Sequence, residues 1–152
     1  MNGEWQIILM SALPIAELRV ALPLAILQYH FAPFFALFLS VLGNLLPIAL
    51  VFYFMPPILC FAEKHIPVLH RVIESYLRSL ERKYQSKYHK YGAFFLFLFV
   101  AVPFPGTGAW TGSVLAVLFG VKPKASIPAI AGGVLLAGII VLILTLGYEN
   151  LY

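Results

Sequence analysis

Three long runs of this sequence contain no Asp, Glu, Lys or Arg: Val20 to Ala62, Tyr91 to Val121, and Ala125 to Tyr148. A helix needs about 20 consecutive apolar residues to cross the hydrocarbon core of a bilayer, and each run is long enough. Charged residues make up 11% of the 152 positions, where a globular domain carries about 25%. The chain therefore reads as an all-α integral membrane protein, a single membrane domain over residues 1–152.

Four apolar segments are predicted, at about 5–29, 33–62, 92–121 and 125–148. The first is interrupted by Glu17 and Arg19. It lacks the basic start of a secretory signal and is expected to be retained. The single cysteine, Cys60, leaves no internal disulfide and no cysteine-cluster metal site. It is expected to be a buried small apolar residue.

Between the second and third segments, residues 63–90 read as an amphipathic helix. Ile66, Leu69, Ile73, Leu77, Leu80 and Tyr84 recur at spacings of three and four. Arg71, Arg82, Lys83, Lys87 and Lys90 occupy the remaining face. Seven of the ten basic residues lie between Lys64 and Lys90, which makes this stretch cytoplasmic. It suits a helix lying on anionic headgroups, with a partner or dimerisation helix as the sharper reading. No nucleic-acid fold accompanies the basic residues.

The two halves resemble each other. "ALP" at 12–14 corresponds to "AVP" at 101–103. Pro33, Gly43, Leu45, Leu46 and Val51 match Pro123, Gly133, Leu135, Leu136 and Val141 at a constant offset of 90. Pro14 and Pro23 are nine apart, as are Pro103 and Gly112. This predicts an inverted repeat of two units, about 5–62 and 91–148. Each would be a re-entrant helical hairpin followed by a transmembrane helix. Half of such a segment, about 12 residues, reaches about 18 Å, enough to reach the midplane of a roughly 30 Å core and return. If segments one and three are re-entrant, Lys122 and Lys124 join residues 63–90 on the cytoplasmic side. If they span, those lysines fall outside. The breaker residues favour re-entrance, because broken backbone at that depth must be buried in protein or line a cavity.

Two constellations can carry chemistry. Glu17 and Arg19 lie between Pro14 and Pro23 in an otherwise apolar stretch. A charge near a helix centre costs roughly 2.5–3.5 kcal/mol on insertion scales, and residues two apart on a regular helix do not face each other. Pro23 would leave the Arg19 carbonyl without its intrahelical donor, and Pro14 would do the same for Met10. The second constellation is "VAVPFPGTGAWTG", residues 100–112. Pro103, Pro105, Gly106, Gly108 and Gly112 forbid a continuous helix, while Thr107, Trp110 and Thr111 supply donors. Asn44 is interhelical glue or part of the site. His30, His65, His70 and His89 lack metal-site spacing. No cofactor motif, nucleophile–base arrangement or paired catalytic carboxylates occur, so an enzyme is not expected.

"LPIAELRVALPLAI" followed by "PFPGTGAWTG" resembles the small multidrug export protein family of prokaryotes, which is similar to the wider DedA/VTT superfamily. The resemblance covers nearly the whole chain. It implies two re-entrant loops, each followed by a membrane helix, in a multi-pass inner-membrane transport protein, with proton coupling as an expectation. It also implies that Glu17 and Arg19 belong to the charged first hairpin, and Pro103, Pro105, Gly106 and Gly108 to the second. The second hairpin lacks the arginines of DedA proteins. On this reading Glu17 carries the proton or cation, Arg19 holds Glu17 ionised or binds an anionic group of a small-molecule substrate, and Gly106–Trp110 faces them at the bilayer midplane. Two alternatives stay open: a phospholipid scramblase, and a non-transport assembly or structural factor. Two spanning helices and two hairpins are few to enclose a pathway, which favours a homodimer.

Overall fold

A computed structural model describes residues 3–66, 68, 71–72, 74–75, 78, 92–104 and 106–149. The main helices are α1 (Gly3–Ala12), α2 (Glu17–Leu27), α3 (Pro33–His65), α4 (Gly92–Ala101), α5 (Ala109–Leu118) and α6 (Pro123–Glu149). There is no strand among the described residues. The fold is all-helical, and α3 and α6 are long and apolar enough to cross a membrane. Helices α1, α2, α4 and α5, with ten or eleven residues each, are each about 15 Å long, half of a hydrocarbon core.

The outer surface fits lipid. Phe34, Phe38, Leu42, Leu46, Leu50, Phe54 and Ile58 follow one another every four residues along α3, and all are exposed. Residues four apart share a helix face, so α3 presents one apolar ridge along most of its length. A water-soluble monomer rarely exposes a continuous apolar patch of that extent. Cys60 is exposed as well. Its expected burial does not hold, because it sits near the end of α3, past the helices that cover the middle.

The core lies where the short helices meet the long ones. Ile7, Leu18, Leu22, Leu96, Val100, Ile130 and Val134 are almost completely buried. Helix α3 packs on α1, α2, α5 and α6. Helix α1 folds back along α2. Gly3, at its start, lies against Tyr29, just past the end of α2, and the Tyr29 hydroxyl donates to Gln6 Oε1. Helices α3 and α6 run in opposite directions. Gly138 of α6 meets Leu37 and Val41 near the start of α3, while Val121 and Lys122, just before α6, share a groove with Pro56 and Cys60 near the end of α3.

Corresponding positions in the two halves do corresponding things. Gly43 of α3 lies against Ile8 and Ser11 of α1, and Gly133 of α6 lies against Phe97 and Val100 of α4. The glycines are 90 apart and both contact pairs are 89 apart. Four described residues have a positive φ, and they pair the same way: Glu17 (49°) with Gly106 (86°), 89 apart, and His30 (53°) with Gly120 (64°), 90 apart. Each pair bends the chain at the same place in its half, first between the two short helices and then before the long one.

Two sequence expectations need correction. Pro23 lies inside α2 and Gly112 inside α5, so neither makes a break. The helix runs through Pro23, which has no N–H to give to the Arg19 carbonyl. Gly112 is buried against Val100, where a side chain would not fit. The breaks fall at 13–16 and 102–108. Most of the predicted amphipathic helix, and Pro105, lie outside the described residues. Within 63–90, Arg78 donates to Glu74 at 2.5 Å, an i, i+4 pair.

Candidate functional site

The turn between α1 and α2 begins at Leu13. The Met10 carbonyl is not orphaned by Pro14, because it accepts the Leu13 N–H at 3.2 Å. The Glu17 N–H then bonds the Leu13 carbonyl at 3.0 Å, and Glu17 takes a left-handed backbone conformation. An L-residue pays roughly 1–2 kcal/mol for that. Strain at a buried ionisable residue is a pointer to function, and Glu17 is only 7% exposed.

The left-handed bend turns the Glu17 side chain toward the second turn. Its carboxylate lies over Gly108, in space that any side chain there would need, at the N-terminus of α5. Gly108 is the N-cap of α5 and has no side chain with which to cap it. Glu17 supplies the cap from the other half of the chain. A carboxylate at a helix N-terminus meets unpaired N–H groups and the positive end of the helix dipole, worth about 0.3–2 kcal/mol.

Arg19 goes to the same turn by a different route. Its guanidinium donates to the carbonyl of Phe104, to the carbonyl of Val102 at 3.4 Å, and to Thr107 Oγ1 at 3.0 Å. The Thr107 hydroxyl also bonds the Val102 and Phe104 carbonyls, each at 2.8 Å. These carbonyls follow the end of α4, and a five-donor planar group suits several acceptors at once. Glu17 and Arg19 therefore attract each other without forming an ion pair, each holding a different side of the second turn.

The second turn reciprocates. Trp110 Nε1 donates to the Ala12 carbonyl, the last of α1, at 2.9 Å. Thr111, half-buried beside Trp110, takes no part in these bonds. Asn44 is buried on α3 with its Oδ1 unpartnered. Of the predicted site residues, Glu17, Arg19, Thr107, Gly108 and Trp110 come together. Gly106 shapes the turn with its positive φ, and Pro14 and Pro103 flank the two turns. Sequence reasoning missed the carbonyls of Ala12, Val102 and Phe104, since backbone acceptors have no residue-type signature.

A groove of about 360 Å³ leads to Arg19 between α2 and α6, lined by Pro23, Leu27, Pro103, Val141, Leu144 and Tyr148. A second groove of about 470 Å³ lies between α3 and the end of α5, lined by Phe52, Pro56, Cys60, Val117, Gly120 and Lys122. The first opens where α6 ends, the second where α6 begins. Among the described residues no group of His, Cys, Asp and Glu could hold a metal ion.

The family model described as "Putative small multi-drug export protein" matches residues 17–140. The match starts at Glu17 and takes in Arg19 and the whole second turn. No curated protein and no solved structure matches the chain.

Proposed function

This chain belongs to the small multi-drug export protein family, and we propose that it works as a proton-coupled secondary transporter whose switch is Glu17. The observation that carries this reading is the Glu17 carboxylate capping α5 from the opposite turn. Ionised, it binds the positive end of α5 and holds the two turns together. Protonated, it loses the charge–dipole attraction, and the turns are held only by the bonds of Arg19 and Trp110. Proton binding thus loosens the contact between the turns, beside the groove that reaches Arg19. Carboxylates inside membrane proteins are costly, and they mark proton or ion paths.

The equivalent contacts of Gly43 and Gly133, and the paired positive-φ positions, support two re-entrant hairpins of opposite orientation meeting at the midplane. Inverted repeats with discontinuous helices are a common transporter construction. On this reading residues 63–90, Lys122 and Lys124 share the cytoplasmic side of a prokaryotic cell membrane. The substrate is a small molecule that enters one groove and leaves by the other. The test is uptake by proteoliposomes under a proton gradient. Glu17→Gln keeps the shape and is expected to abolish gradient-driven uptake while the protein stays folded. Unchanged uptake would remove Glu17 from the mechanism.

A second reading is favoured by the groove at Arg19. Its walls are mostly apolar, and Arg19 and Thr145 add a cation and a hydroxyl, which suits a lipid chain and its phosphate. That reading makes the protein a scramblase. Fluorescent lipid in vesicles would then exchange between leaflets without a proton gradient, and exchange no faster than in protein-free vesicles would rule it out.

A further inference from the structure

Three buried oxygens stand outside the network that joins the two turns. Ser40 and Asn44 on α3 and Ser113 on α5 are each more than nine-tenths buried, and Ser40 Oγ, Asn44 Oδ1 and Ser113 Oγ have no hydrogen-bond partner among the described residues. Buried polar groups in native proteins are nearly always satisfied, by protein or by ordered water. The exceptions call for a physical reason.

Their placement supplies one. Ser40 and Asn44 are four apart and share a face of α3. That face meets α1, where Ser11 Oγ donates to the Ser40 carbonyl and Gly43 lies against Ile8. Ser113 is three residues past Trp110, whose indole reaches the last carbonyl of α1, so it lies on the same side of α5. Helices α3 and α5 pack directly on each other. From Gly108, where the Glu17 carboxylate lies, Ser113 is five residues along α5, about 7.5 Å of rise. Further along the same interface opens the groove bounded by Phe52, Pro56, Val117 and Lys122.

The corresponding interface, between α6 and α2, has no such seam. The positions 90 residues after Ser40 and Asn44 are Ile130 and Val134, both buried and apolar. The polar seam therefore breaks the correspondence between the halves.

We propose that Ser40, Asn44 and Ser113 line a water-bearing seam between α3 and α5, which carries protons between Glu17 and the groove at Lys122. Serine hydroxyls both donate and accept, and the Asn44 oxygen accepts, so each of these groups can take a place in a donor–acceptor chain of waters. A buried water needs two to four polar partners, which the seam and neighbouring waters provide. The transport role of this route rests on the reading of Glu17 as the coupling carboxylate. The hydration of the seam does not.

The test separates the two. Melting of the full chain in detergent is compared for wild type, Ser40→Ala and Ser113→Ala. An oxygen held by water loses those bonds when removed, and the melting temperature falls. An unpartnered oxygen is a burden, and removing it leaves the melting temperature unchanged or higher, which would overturn the seam. The route is read from hydrogen–deuterium exchange of the Glu17 carboxyl by time-resolved infrared, with Glu17→Gln identifying the band. Ser113→Val is expected to slow exchange several-fold, and Ser113→Thr, which restores a hydroxyl, to recover it. Exchange at the wild-type rate in Ser113→Val would overturn the route. Should Glu17→Gln leave uptake intact, the transport reading fails while the melting and exchange results still decide the seam.

Discussion

The carboxylate of Glu17 occupies the space that a side chain at Gly108 would fill. A methyl group there overlaps all three carboxylate atoms. Gly108→Ala is expected to expel Glu17 from the N-terminus of α5, destabilising the fold by about 1–3 kcal/mol, as overpacked sites do. Gly106→Ala is the control in the same turn. Its φ is positive but its surroundings are open, so it pays only backbone strain of about 1 kcal/mol and leaves Glu17 in place. Denaturant unfolding in detergent measures both. Uptake should be lost in Gly108→Ala and retained in Gly106→Ala.

Arg19→Lys keeps the charge and loses the geometry. Three acceptors, Val102 O, Phe104 O and Thr107 Oγ1, surround the guanidinium. An ammonium is a compact point charge and does not reproduce a planar fork. One or more of these hydrogen bonds is lost, at about 1 kcal/mol each. The expected result is a lower unfolding midpoint in Arg19→Lys, and a further fall in Arg19→Gln, where the charge is also gone. Equal stability of Arg19→Lys and wild type would show that charge alone matters at this position.

How much of this was legible in the sequence follows from what kind of group does the work. Glu17 and Arg19 stood out because ionised side chains are conspicuous in an apolar run. The breaks at Pro14 and around Gly106 stood out because proline and glycine disfavour helix. The contact between Glu17 and Gly108 was not readable: a glycine announces room, and only the fold says which group fills it. Pro23 misled because a proline removes one hydrogen bond without ending a packed helix. Gly112 misled because a glycine inside a helix can serve close packing against Val100 as well as a turn. Ser40 and Ser113 carried no signal, since serine in a membrane helix commonly bonds its own backbone.

Gly43 and Gly133 offer a test of the correspondence between the halves. A Cβ at Gly43 would strike the Ile8 carbonyl, and one at Gly133 would come within 2.7 Å of the Phe97 carbonyl. Backbone cannot swing aside as a side chain can. Both alanine variants are expected to lose stability by similar amounts, about 1–3 kcal/mol. Gly147→Ala is the contrast. It lies in the last turn of α6 with nothing near its Cβ position, so alanine is expected to cost nothing there and to gain at most about 1 kcal/mol. Thermal unfolding of the three variants side by side gives the answer. A large loss at one of the first two sites with none at the other would separate the halves.

Lys122 decides the topology. Helices α4 and α5 are ten residues each, about 15 Å, and neither crosses a core of about 30 Å alone. Read as a returning hairpin, they bring the chain back to the side it left, and Lys122 lies beside Cys60 in one groove near the end of α3. With Cys60 replaced by alanine, single cysteines at Lys64, Lys122, Glu4 and Tyr148 are probed with a membrane-impermeant maleimide in vesicles of each orientation. Lys64→Cys and Lys122→Cys should label from one side, Glu4→Cys and Tyr148→Cys from the other. If Lys122→Cys labels from the side opposite Lys64→Cys, then 92–121 crosses the membrane, the second hairpin does not exist, and the two grooves cannot open to opposite sides.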